Sequence, residues 1–521
     1  MTDSFNINKF KKRFLQLSIF LWEKKWFFLS SLVVTTIAGG LSTEFTSFYW
    51  RFIIFIFIIS AITILFINKK VAWSCFIIIM TFGTFFVIFS PVFDALDEPA
   101  HYARAQHISE GNLFLKNEEE ELAFSKDYQF LTEMTGYNGI NRLNPKINFF
   151  ASDLFSYQHD EDKKIETKIK ATRTYGSLVY LPSAMGLKIG QIISKGNLGV
   201  MFYLGRFFNL LMYAIMAFWA IKLAGRFDLL VGFFAIQHLP IYISASFNQD
   251  AFFYGLSLLI LAKIINLFDK EEKIDYKDII QMTIYCSLMT FTKLPSIALI
   301  GLMIFIPLDR YKSKKVYYYN FLGILIVLLI ALLWLKYYST MEATDLPKSV
   351  DQSEQLKYIF GHPREFMSSL LIGLLSTPLK FKQYFTFGWS YHYSEHAHLL
   401  SLPIFGAMLI LYPLKLRHKV TNLFKFSLVS VMLAIIVVTN VILYLTFTGV
   451  GEATISGVQG RYFYGLLLLL PFLTNITDKI YIGDNFDDIG VLDMEKFQQI
   501  ILMIAILILT WMSALRIGVY Y

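Results

Sequence analysis

The residues best suited to chemistry stand together in Asp94-Ala-Leu-Asp97-Glu98-Pro99-Ala-His101-Tyr-Ala-Arg104-Ala-Gln-His107, directly after an apolar run that ends at Ser90-Pro91. Carboxylates, imidazoles and a guanidinium are thus delivered to the point where the chain leaves an apolar layer, which suits acid-base chemistry and anion binding at an interface. Pro99 sets a helix start, because proline is tolerated in a first turn whose N–H groups have no partner anyway. Asp97 and Glu98 then lie at the positive end of that helix, which favours their ionised forms. His101, Arg104 and His107 follow at spacings of three and share roughly one face.

Other ionisable groups interrupt apolar stretches further along. Asp250 ends Ser244-Ala-Ser246-Phe-Asn248-Gln-Asp250, where an N-cap role and a functional role are compatible. Lys293 sits in Phe291-Thr-Lys293-Leu-Pro295, and Arg461 in Gly457-Val-Gln459-Gly460-Arg461-Tyr462. Lysine offers a point charge and arginine a two-pronged grip, both suited to phosphate, although either residue also snorkels to headgroups. The glycines beside Arg461 let backbone approach a ligand closely. Arg206, several residues into an apolar run, is placed to pair with a carboxylate or to bind a ligand. His362, before Pro363, completes the set.

These residues need a scaffold, and composition names its class. Hydrophobic residues make up 55% of the 521 and charged residues only 17%, below the quarter usual in soluble domains. The expectation is an all-α polytopic membrane protein. Hydropathy places thirteen crossings near 26–42, 48–67, 71–92, 199–221, 228–247, 251–268, 279–292, 295–308, 317–337, 397–414, 422–446, 462–477 and 497–515. Lys9, Lys11, Lys12, Arg13, Lys24 and Lys25 put the N-terminus in the cytoplasm by the positive-inside rule. Parity then collects Asp97, Glu98, His101, Arg104, Arg206, Asp250, Lys293, His362, Gln459 and Arg461 at the outer face. The acidic loop 478–496 goes against that rule by falling inside. The apolar run from Tyr175 to Lys188, broken by Pro182 and Gly186, reads as a juxtamembrane helix rather than a span. Residues 93–198 and 338–396 form external regions.

The formal charge of +8 belongs to loop placement, not to nucleic-acid binding. Cys75 and Cys286 lie in apolar segments and suggest neither disulfides nor a metal site. The carboxylates leave a divalent ion open as a cofactor. No cleavable signal is expected, since no A-x-A site follows the first apolar run.

The order of these motifs resembles the GT-C superfamily of integral-membrane glycosyltransferases, which includes aminoarabinose transferases and protein O-mannosyltransferases. More narrowly, Asp97-Glu98-Pro-Ala-His101-Tyr-Ala-Arg104, Ser246-Phe-Asn-Gln-Asp250, His362-Pro363 and Val458-Gln459-Gly460-Arg461-Tyr462 look like a large bacterial membrane family usually grouped with it. The resemblance covers about residues 70 to 480. It implies a GT-C-like core over 69–480, preceded by two additional spans in 1–68 and followed by a cytoplasmic loop and a last span in 481–521.

The resemblance further implies a polyprenyl-phosphate-linked sugar as donor, an envelope glycan or lipid as acceptor, and a bacterial cytoplasmic membrane as location. Asp97 is then the first choice for catalytic base, Glu98 the second, and Asp250 a further acidic residue. His101, Arg104, Arg206, Lys293, His362, Gln459 and Arg461 would bind substrate. The alternative is a transporter or flippase of lipid-linked glycans, and a third reading is a lipid-binding scaffold without turnover.

Overall fold

A computed structural model describes residues 22–42, 47–67, 70–95, 97–114, 123–135, 152–160, 164–166, 172–339, 349–376, 396–412, 414–474 and 494–520. The basic residues before Lys24, the Glu118–Glu121 run, the aromatic-rich 380–393 and most of the 478–496 loop lie outside them. Apart from one antiparallel pair of three-residue strands, Ala123–Ser125 with Lys164–Glu166, the described elements are helical.

Six described helices are long and apolar enough to cross a membrane, and a bent pair makes a seventh. The chain is therefore a multi-pass membrane protein. Among them, α1 (Val71–Phe89) carries no charged residue and is about 28 Å long at the usual helical rise, close to a bilayer's hydrocarbon thickness. α2 (Leu198–Leu223) packs against α1 and against α3 (Asp250–Asp269), whose whole circumference is buried at the centre of the bundle. α4 (Lys314–Ser339), α5 (Asn422–Thr446) and α6 (Met494–Tyr520) complete the set. Two N-terminal helices, Lys25–Ser42 and Ser47–Phe66, pack against α6.

Thirteen full-length crossings are not seen among the described residues, and the reasons are local. The apolar run at 228–247 is split by a 68° bend between Gly225–Ala235 and His238–Ser244. Pro240 explains the break, since its ring would clash with the Ile236 carbonyl in a continuous helix and it has no N–H to donate there. The run at 279–292 yields only Tyr276–Met289, and the next, opened by Pro295, winds as a 3-10 helix over Leu294–Phe305. The run at 462–477 breaks into the short turns Gly460–Phe463, Tyr464–Leu467 and Pro471–Thr474. Hydropathy reports apolarity, and these segments are apolar without being long regular helices.

The stretch from Tyr175 to Lys188 forms a 3-10 turn, Ser177–Tyr180, and a helix, Leu181–Ser194. At about 21 Å that helix is short for a span. It lies close along α2 because Gly186 and Gly190 leave room: a Cβ at Gly186 would stand 2.3 Å from the Leu204 carbonyl oxygen. Pro182 opens this helix rather than breaking it.

Candidate functional site

The helix after α1, Glu98–Ser109, begins in an unusual way. Asp97 occupies its N-cap position with φ of 61°, in the left-handed region, and its side chain caps nothing. That turn sends the adjacent carboxylates of Asp97 and Glu98 to different partners.

Glu98 turns into the protein. Arg206 Nε and Nη2 donate to its two oxygens at 2.7 Å each, and the Phe247 amide donates to Oε1 at 3.0 Å. The remaining guanidinium donors reach the carbonyls of Ser90, Val87 and Pro91 at 2.7, 3.2 and 2.7 Å. Both side chains are fully buried. A two-pronged pair this well satisfied ties the start of the Glu98 helix and the end of α1 to α2.

Asp97 turns the other way, to Arg461, whose Nη2 donates to its Oδ2 at 2.6 Å. Arg461 Nη1 stands 3.3 Å from Asp250 Oδ2, and Lys293 Nζ 3.1 Å from Asp250 Oδ1. Gln459 Oε1 accepts from Arg461 Nε at 2.7 Å. The Lys293 ammonium also lies 4.0 Å from the centroid of the Tyr462 ring and 5.7 Å from that of Tyr175, close enough for cation–π attraction. One network thus joins the start of the Glu98 helix, the first residue of α3, the Lys293 turn and the Gly460–Phe463 turn. All four lie at the same end of the bundle.

Local sequence explains these placements. Asn248 Oδ1 accepts the Asp250 amide at 2.9 Å, so Asp250 is held at the first turn of α3 without capping it. The N-cap expectation for Asp250 is thereby corrected, because Gln249 holds that position and the Asp250 carboxylate faces the two cations. Asn209, one helical turn beyond Arg206 on α2, donates to the carbonyls of Ser246 and Asn248 at 2.7 and 3.0 Å and fixes the loop from outside. Gly457, at φ of 77°, turns the chain into the Gln459-Gly460-Arg461 stretch.

His101 and Arg104 do share a face, and that face docks on the Ser177–Tyr180 turn. His101 Nδ1 shares a 2.7 Å hydrogen bond with the Tyr180 hydroxyl, and Arg104 Nη2 donates to Ser177 Oγ at 2.8 Å. Burial pushes the His101 pKa down to about 4, outweighing the pull of Asp97 and Asp250, so the imidazole is neutral at pH 7. Arg104 is also tied to His107 and to the Leu113 carbonyl, and serves as a strap within the segment that joins α1 to α2.

The structure therefore brings together Asp97, Asp250, Lys293, Gln459 and Arg461, with His101 beside them. Glu98 and Arg206 form a separate buried pair that supports the Asp97 turn. His362 lies elsewhere: it is exposed, ends the helix Gln352–Gly361 and stacks on Tyr358 with ring centroids 4.4 Å apart. Among the described residues, no three His, Cys, Asp or Glu side chains are grouped as metal ligands; the network's carboxylates face cations instead.

Sequence reasoning missed Tyr175, Tyr462, Asn209 and Arg516. Arg516, near the end of α6, pairs with Asp94, which also accepts from the Tyr242 hydroxyl at 2.7 Å. A lone arginine in a last apolar helix was the available signal.

Helices of this length and apolarity, with a charged network at one end, define a multi-pass membrane protein carrying an end-on polar site. The chain belongs to the family described as "predicted membrane protein (DUF2142)", whose model matches residues 80–470, three quarters of its length. Every residue of the network falls inside the match. No curated protein and no solved structure matches the chain.

Proposed function

We propose that the protein is a glycosyltransferase that uses a polyprenyl-phosphate-linked sugar at the outer face of a bacterial cytoplasmic membrane to modify an envelope glycan, glycopolymer or lipid. The observation that carries this reading is the convergence of Asp97, Asp250, Lys293 and Arg461 in one network at one end of the bundle. Lys293 and Arg461 hold the donor phosphate. Asp97, whose side chain is 41% exposed, takes the proton from an acceptor hydroxyl while that oxygen attacks the anomeric carbon. The bond from that carbon to the phosphate oxygen breaks, and its electron pair leaves on the polyprenyl phosphate, where the two cations stabilise it. Attack opposite the leaving group inverts the anomeric configuration. Asp250 keeps the cations in place, and Glu98 with Arg206 holds the Asp97 turn.

A carrier of lipid-linked glycans is the second reading, favoured by the bent pair Gly225–Ala235 and His238–Ser244, since carriers use broken helices. Carriers place their sites at such breaks near mid-membrane, whereas this network gathers at helix ends.

The test is transfer by the full chain in liposomes containing a radiolabelled polyprenyl-phosphate sugar and envelope lipid acceptors. The sugar should move to an acceptor in the wild type and not in Asp97→Asn. A label that crosses the bilayer while still attached to its lipid would establish the carrier instead. Analysis of envelope glycans in a deletion strain would identify the sugar.

A further inference from the structure

Arg461 is shared unequally between its two carboxylates. Asp250 is nearly sealed, at 1% exposure, and holds Lys293 as well as Arg461. Asp97 touches only Arg461 within the network, and 41% of its side chain is exposed. Asp250 cannot leave without uncovering two cations; Asp97 needs only to rotate toward water. The guanidinium itself is 4% exposed, and of its two carboxylate partners Asp97 is the one that reaches water. Arg461 Nη1 is buried and makes no hydrogen bond, its contact with Asp250 being an ion pair at 3.3 Å, so the cation has donor capacity in reserve.

From this we infer that Asp97 is a displaceable counter-ion. The anionic group of the ligand takes Arg461 from it, so that anion binding and release of the Asp97 carboxylate are one step. The inference rests on the reading above, in which the cations bind the donor's phosphate, and adds an order of events. Without a donor, the Asp97 carboxylate is engaged by Arg461. With a donor seated, the same carboxylate is free beside the reacting centre.

The step also sets a charge preference. When Asp97 has moved away, Lys293, Arg461 and Asp250 leave a single net positive charge, and His101, neutral at this depth, adds none. A phosphodiester with one negative charge balances that, and a diphosphate overshoots it. The fold protects the swap. Asp94 with Arg516 on one side, and Glu98 with Arg206 on the other, anchor the chain around Asp97 independently of Arg461.

The experiment measures binding of a short polyprenyl phosphodiester to the purified full chain by calorimetry, with inorganic phosphate and farnesyl diphosphate as second and third probes. Asp97→Asn retains the shape and tolerates the left-handed backbone. It should bind the diester about tenfold more tightly than wild type, because the competitor for Arg461 has lost its charge. Asp97→Glu restores the competitor and should return close to wild type. Wild type should prefer the diester to the diphosphate. A response to inorganic phosphate equal to that of the diester would assign the site to free phosphate, with the displacement intact. Affinity in Asp97→Asn equal to or below wild type overturns the displacement while leaving the cation site standing. Absence of binding in wild type and Asp97→Asn alike overturns the cation site, and the displacement with it.

Discussion

The two ends of the bundle both carry clustered charges, and they expose them differently. At the end described above, Arg461 is 4% exposed, Asp250 1% and Lys293 14%, and cations and carboxylates are shared rather than matched one to one. At the other end of α3, a cleft of about 310 Å³ is lined by Arg226, Asp269, Lys270, Glu271 and Arg417. There Arg226, 52% exposed, pairs with the largely covered Asp269, 11% exposed, and Arg417 pairs with Glu271, both open to solvent at 40% and 78%. Exposed pairs of this kind contribute little and cost little, and here they snap loops together between helices. A buried network costs several kcal/mol per ion in lost hydration, so it persists where its geometry is used. Sharing occurs near the cleft as well, where Asp278 takes Lys263 at 2.8 Å and Lys270 at 2.6 Å. What sets the first end apart is that a buried cation, Arg461, is shared between a sealed carboxylate and one open to water, Asp97.

The sharpest way to break that contrast is to remove the exposed member of the buried network. Asp97→Asn should lower glycosyl transfer by roughly a hundredfold or more, the usual worth of a general base. Its thermal unfolding should change little, because the side chain is half in water. Retention of wild-type transfer in this variant would return the Asp97 end to the status of the Arg226 end, a structural snap. Next in size is the Glu98–Arg206 pair. Arg206→Leu leaves Glu98 buried without a counter-ion and should cost about 3–5 kcal/mol, read as loss of folded, detergent-soluble protein. Glu98→Gln should lose transfer together with stability, in contrast to Asp97→Asn. Equal stability in both variants would make Glu98 a second candidate base after all.

The roles of these neighbours show where sequence reading stops. Ionisable residues at the ends of apolar runs were legible, because lipid tolerates them only with a reason. Asp97, Asp250, Lys293 and Arg461 were each visible in this way, as were several of the long helices. Which carboxylate meets which cation was not. Asp97 and Glu98 are adjacent in the chain and part company only because Asp97 adopts a left-handed turn, which no local motif announces. Asp94 and Arg516 lie 422 residues apart, and their pairing depends on how α6 returns to the bundle. His362 has the same kind of motif as the others, yet the helix it ends packs against α5 instead of facing the network. Helix lengths were hidden for a related reason: Pro240 breaks a stretch that a hydropathy window reads as continuous, and the apolar run after Pro295 winds as a 3-10 helix.

A smaller effect separates the ends by pH. His101 is kept neutral by burial, with its pKa lowered from 6.5 to about 4. The unfolded chain binds a proton below pH 6.5 that the folded chain refuses until about pH 4. Stability from this side chain is thus fully present above pH 6.5 and lost as pH falls toward 4, by an amount on the order of 1–3 kcal/mol. Melting temperatures of wild type and His101→Gln should therefore converge over that interval, and parallel curves would show that the imidazole is not buried as described.

The smallest expected effect tests the opposite end itself. Arg226 is half exposed, and its replacement by alanine leaves Asp269 lining the cleft with the Arg417 amide still donating to it at 3.3 Å. Arg417→Ala likewise frees Glu271 into solvent. Each should cost about 0–1 kcal/mol, and the residual loss should shrink further in high salt, because screened surface charges gain little from each other. Transfer should be unchanged, since α3 separates this end from Asp250 by its whole length, about 30 Å. If either variant lowered transfer as far as Asp97→Asn does, the two ends would be coupled through α3, and the open carboxylate of Asp97 would no longer locate the chemistry.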